Sequence, residues 1–189
     1  VYKYPQTRKK AMKAKKVNLK FFPEGGNLVK GVPSQVAFEA TDAYGNPITL
    51  FGRIINRRKE EIGHFATIHE GRGVFTYIPT GEDADKAEVE LGGKKYRFDL
   101  PEVRSQGYVL HVDNLTSEDS IAVSVQKNTY TPSNLLGLAV IAHGKLLNSC
   151  LLNVGKNTPV SFKLDKSEWT PGVVQLVLFD TAAVSYTHL

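Results

Sequence analysis

From Val17 onward, apolar and polar residues alternate in short runs broken by Gly, Pro, Asn and Asp. This is the pattern of half-buried strands, with side chains pointing to opposite faces in turn. Val17 to Phe21 alternates in this way, and Pro23-Glu24-Gly25-Gly26-Asn27 closes the run in a turn. Gln35 to Thr41 puts Val36, Phe38 and Ala40 on one face, and Asp42 to Pro47 is a dense turn signal. Further strands are predicted at Gly52 to Asn56, Ile62 to His69 and Gly73 to Ile78, the last two joined tightly through Glu70-Gly71-Arg72-Gly73. Lys86 to Leu91 and Lys94 to Leu100 flank Gly92-Gly93, the clearest two-residue hairpin in the chain.

The pattern stops at Pro101 and restarts after residues 102–106. Strands are then predicted at Tyr108 to Val112, Ser120 to Gln126, Leu135 to His143, Lys145 to Asn153, Pro159 to Leu164 and Val173 to Asp180. No stretch has a useful helical period. The fold class is therefore all-β, as two tandem immunoglobulin-like antiparallel β-sandwiches. Residues 1–16 read as a basic linker, 17–101 as the first sandwich, 102–106 as a junction and 107–183 as the second sandwich.

Composition agrees with this division. The 189 residues have room for one large domain or two of about 90–100 residues. Sixteen Gly, nine Pro, eight Tyr and nine Phe against one Met favour short strands and frequent turns. The net charge of +5 suggests a polyanion partner until it is located. Eight Lys or Arg lie in the first twenty residues with no acid among them, and subtracting those eight from +5 leaves −3 for the rest. The basicity thus belongs to a tail, and no nucleic-acid partner is expected. The longest apolar run, Leu135 to Ala142, is far shorter than a membrane helix of roughly 20 residues, so membrane association would come only through other parts of a longer chain.

Candidate chemistry is sparse. His64 and His69 are five apart and point to opposite faces of a strand, so they cannot chelate together. Glu82-Asp83-Ala84-Asp85, and Asp113-Asn114 with Glu118-Asp119, read as solvated turns because the Gly and terminal Glu of a helix-loop-helix calcium site are missing. No phosphate loop, nucleophile elbow or cofactor motif is present, and no catalysis or cofactor is expected. Cys150 lies in Leu146-Leu147-Asn148-Ser149-Cys150-Leu151-Leu152 and is expected to be a buried strand thiol.

The stretch Phe21-Phe22-Pro23-Glu24-Gly25-Gly26-Asn27-Leu28-Val29, continued by Gly31-Val32-Pro33-Ser34-Gln35-Val36-Ala37-Phe38-Glu39-Ala40, resembles a phrase of large cell-envelope proteins of Bacteroides-type bacteria. Those proteins contain macroglobulin-like domains related to the second macroglobulin domain of α2-macroglobulin. The likeness continues at Asp42 to Pro47, Gly71 to Phe75, Ile78-Pro79, Gly107 to Leu110, Asp113 to Leu115 and Thr170 to Asp180. It implies macroglobulin-type sandwiches in an exported protein of the periplasm, outer membrane or cell surface, some relatives carrying a TonB-dependent receptor plug. Their partners would be neighbouring domains of the same chain and an envelope protein, peptide or glycan ligand.

The thioester motif of the protease-trapping relatives, Gly-Cys-Gly-Glu-Gln, is absent from these residues, and Cys150 does not match it. The leading expectation is a non-catalytic structural or ligand-presenting module. The alternatives are the carbohydrate- or peptide-binding ectodomain of an uptake receptor and a piece of a protease trap. Binding is expected at the loops Pro23 to Ser34, Thr41 to Leu50 and Lys127 to Asn134. The candidate glycan-contacting aromatics are Tyr44, Phe51, Tyr130 and Trp169, each also a candidate for plain packing. Ser120 in Asp119-Ser120-Ile121 and Thr181 in Asp180-Thr181-Ala182 fit a short O-glycosylation pattern of such bacteria. Residues 184–189 depart from the resemblance and read as an artefactual tail without a role.

Overall fold

The computed structural model describes residues 17–81, 85–155, 158–167, 169, 171–180 and, for the backbone alone, 185–188. The strands are β1 (Asn18–Pro23), β2 (Leu28–Val29), β3 (Ser34–Thr41), β4 (Phe51–Ile55), β5 (Glu61–Ala66), β6 (Arg72–Tyr77), β7 (Lys86–Leu91) and β8 (Lys94–Asp99). They continue as β9 (Val103–Arg104), β10 (Tyr108–Asp113), β11 (Ser120–Lys127), β12 (Leu135–Ala142), β13 (Lys145–Asn153), β14 (Val160–Asp165), β15 (Val174–Phe179) and β16 (Ser185–His188). One 3-10 turn, Glu24–Gly26, follows β1. The fold is all-β, and every long strand pair is antiparallel.

The two halves repeat one topology. In the first, sheet β1-β3-β6 accompanies sheet β5-β4-β7-β8; in the second, β10-β11-β14 accompanies β13-β12-β15-β16. Counting strands within each half, both read 1-2-5 and 4-3-6-7, the three-plus-four arrangement of an immunoglobulin-like sandwich. Each half has its own core, built from the inward positions of both sheets. In the first half, Phe38 of β3 meets Phe65 of β5 edge-on at 5.0 Å, and Phe21 and Phe75 complete the aromatic centre. Gly52 is required there: a Cβ on it would lie 2.3 Å from the Phe65 ring. The second core is aliphatic, centred on Leu110, Leu136, Leu138 and Leu178, with the half-buried Trp169 packed at its edge.

The expected strands all form, most with ends shifted by one or two residues. Gly92 and Gly93 take φ of 59° and 72°, the left-handed pair that matches strand twist in a two-residue turn. β5 stops at Ala66 rather than His69, because the Thr67 side chain turns to hydrogen-bond Leu50. Two elements lie outside the expectation: β2 and β9, a two-residue parallel pair beside the junction. The backbone of Ser185–His188 pairs with β15 as the seventh strand of the second half.

Cys150 corrects its expectation. It is exposed, because β13 is an edge strand whose residues 145–151 all lie open to solvent while only Leu152 of that strand reaches the core. Alternation in sequence marks a strand but cannot tell whether the facing sheet extends far enough to cover it. Partial burial still pushes the Cys150 thiol above its ordinary range, which keeps it protonated and weakly nucleophilic. The 1–16 segment, Glu82-Asp83-Ala84 and Thr181 lie outside the described residues.

Candidate functional site

Among the described residues, a dense hydrogen-bond network lies where the halves meet. β1 runs into Pro23 and turns sharply at Glu24-Gly25-Gly26, with Gly25 buried at φ 72°, a conformation that strains any residue bearing a Cβ. The turn delivers the Glu24 side chain to β10, the edge strand of the other half. Glu24 Oε1 accepts from Val112 N at 2.9 Å, and Glu24 Oε2 lies 2.5 Å from His111 Nδ1. A carboxylate here satisfies a backbone donor on an edge strand, and one on an adjacent side chain. β2 then pairs with β9, Lys30 N donates to Arg104 O at 2.9 Å, and Gly31 N donates to Pro79 O at 2.8 Å. Val29, Val32 and Val109 form a small apolar cluster of their own across this seam.

Asn128 fastens the seam from the other side. Its amide nitrogen donates to Lys30 O (3.1 Å) and Ser105 O (2.7 Å), while its carbonyl accepts from Thr131 Oγ1 (2.7 Å). Thr131 Oγ1 in turn accepts from Gly107 N at 2.8 Å. The side chain is nearly buried, so each of these bonds matters more than a surface bond would. Beside it Lys127, 1% exposed, donates to Thr131 O, Ser133 O and Asn134 Oδ1 and holds the 128–134 loop in shape. Of the three loops expected to carry ligands, 23–34 and 127–134 therefore pack into the joint, and only 41–50 stays clear of it. There Asp42 Oδ1 accepts from Tyr44 N and Asn46 N and leaves Tyr44 87% exposed.

A second charged cluster sits on the outward face of the β5-β4-β7-β8 sheet. Glu88 on β7 is 3% exposed; it accepts from Arg53 Nη2 (2.6 Å) and Nε (3.1 Å) of β4 and from Arg97 Nε (2.8 Å) of β8, with Lys95 Nζ 3.7 Å away. Arg53 and Arg97 flank it in register on the neighbouring strands. The Arg53 hydrogen bond holds the Glu88 carboxyl below the ordinary glutamate range, against burial, which acts the other way. Because the folded pKa is depressed, the stabilisation is present above the ordinary range and is lost as pH falls through the lowered value. NMR titration should find Glu88 protonating below the ordinary glutamate range, and Arg53→Gln should move its midpoint upward.

The four candidate aromatics do not form one platform. Tyr44 is in the 42–47 turn, Phe51 on β4, Tyr130 in the joint loop and Trp169 before β15; among the described residues no ring contact joins any two of them. Tyr130 instead has Lys30 Nζ 5.9 Å from its ring centroid, and Phe51, 63% exposed, stacks on His64 at 5.9 Å. Ser120 opens β11, half-buried, its Oγ donating to Ser117 Oγ at 3.1 Å. Among the described residues no three His, Cys, Asp or Glu side chains converge as a metal site needs, and no helix is long and apolar enough to cross a membrane. Sequence reasoning missed Glu24, His111 and Asn128, whose partners lie up to 98 residues away. It also missed the Glu88 cluster, for which the charged outward positions of the 86–99 hairpin were a usable signal. No protein-family model matches the sequence, and no curated protein matches it.

Proposed function

We propose that this chain is a non-catalytic spacer: two macroglobulin-type sandwiches of an exported, envelope-associated protein, fixed to one another so that neighbouring parts of a longer chain are held at a set distance and angle. The single observation that supports this reading most is the joint. A flexible tether between sandwiches needs no side chain bonded across the seam, whereas half-buried Glu24 and buried Asn128 each reach from one half to the other and are hydrogen-bonded there. The Phe-Pro-Glu-Gly-Gly phrase that carries the family resemblance supplies the turn that aims Glu24. Export and the envelope setting rest on that resemblance alone.

The reading predicts coupled unfolding. Wild-type chain in urea should unfold in one transition, and the double variant Glu24→Ala with Asn128→Ala should separate it into two, with a loss of about 1–3 kcal/mol of coupling. Two separate transitions in the wild type, unmoved by the substitutions, would remove the basis for a fixed spacer.

A further inference from the structure

We infer that the outward face of the β5-β4-β7-β8 sheet is a binding site for a neutral oligosaccharide, centred on Phe51. Three observations on this face converge. The first is an exposed ring: Phe51 is 63% exposed on a regular strand and stacked, 25° from parallel, on His64 of β5. An apolar ring left in water carries an unfavourable cost that a bound ligand relieves, and a flat ring is the complement of the C–H face of a pyranose.

The second is a depression beside the ring, lined by Phe51, Arg53, Glu61, Glu88, Glu90 and Lys95. The third is how its floor is made. Glu88 is buried under Arg53 and Arg97 and fixes both guanidinium groups by hydrogen bonds to Nε and, for Arg53, one Nη. Arg53, which lines the depression, is held through Nε and Nη2, and its Nη1 has no partner among the described residues, so an oriented donor remains there. Such preorganisation lowers the ordering cost of binding.

Charge selects the class of ligand. Three cations (Arg53, Lys95, Arg97) face three carboxylates (Glu61, Glu88, Glu90), and both Glu61 and Glu90 act electrostatically on Arg53. An anionic ligand would meet Glu61 and Glu90, and a cationic one would meet Arg53, Arg97 and Lys95. A neutral polyol offers a donor and an acceptor at each hydroxyl and suits a face on which donors and acceptors alternate. Planar Arg and carboxylate groups can each engage two neighbouring hydroxyls, which gives orientation as well as affinity.

The test is titration calorimetry of the whole chain with a series of neutral hexose oligosaccharides and the matching uronate-containing series. Binding should occur in the neutral series, weaken roughly tenfold or more in Phe51→Ala, persist in Phe51→Trp, and stay unchanged in Tyr44→Ala, a ring remote from the depression. Phe51 contributes little to the core, and circular dichroism should find the variants folded. Binding confined to the uronate series, binding indifferent to Phe51→Ala, or no binding in either series would each overturn the assignment. None of these outcomes bears on the joint, so the spacer reading and this site stand or fall separately.

Discussion

Phe38→Ala is expected to destabilise the protein by about 3–5 kcal/mol, the usual range for truncating a buried phenylalanine. Phe38 is 2% exposed and sits at the centre of the first core, edge-on to Phe65 and tilted against Phe75. The cavity cannot close by small shifts. Gly52 already lies against the Phe65 ring and Gly73 against Phe38 itself, so backbone on two strands borders the space. Loss of the edge-to-face contacts adds roughly 0.5–1.5 kcal/mol to the plain transfer term. Phe38→Leu, which keeps most of the volume, should cost less than half as much. Urea midpoints at constant slope would measure both, and a loss under about 1 kcal/mol for the alanine variant would mean that the aromatic centre is not the core of the first half.

Lys127→Met should cost about 2–4 kcal/mol, although it replaces a buried charge with an apolar side chain of similar length. Burying an ammonium is unfavourable, and methionine relieves that term. Against it stand the bonds Lys127 donates to Thr131 O, Ser133 O and Asn134 Oδ1, whose acceptors would be left behind in a loop folded around them. The second term wins because Thr131 is itself buried and tied to Asn128 and Gly107, so that end of the loop cannot open to water without loosening the joint. The same variant should therefore speed amide hydrogen exchange at Gly107, which donates to Thr131. Unchanged exchange there, with the stability loss intact, would confine Lys127 to its own loop.

The sequence carries the strands well because alternation is a local signal that survives any tertiary arrangement. Ser34, Val36, Phe38 and Ala40 form the buried face of β3, and Glu70-Gly71 and Gly92-Gly93 turn where turn chemistry says they must. What it could not carry depends on pairing between distant segments. β2 and β9 are two residues each, too short to show a period. Glu24 reads as a turn residue, and nothing local announces that its carboxylate reaches His111. Cys150 reads as buried because its neighbours are apolar, yet burial is decided by the width of the sheet opposite.

The Glu88 cluster falls between these cases. The hairpin register Leu91 with Lys94 places Glu88 opposite Arg97, so that pair was legible. Arg53 arrives by a crossover from β4 and was not. Phe51 could be singled out as an aromatic, whereas its neighbours, which give it a chemical meaning, are set by the sheet order.

A spacer of the kind proposed needs its two sandwiches to keep one fixed relative orientation. Residual dipolar couplings of backbone amides in a weakly aligned sample test it most directly. Couplings from 17–101 and from 107–180 should fit one alignment tensor of the same magnitude and axes. Two tensors of different magnitude, one for each half, would mean that the halves reorient freely and would contradict it.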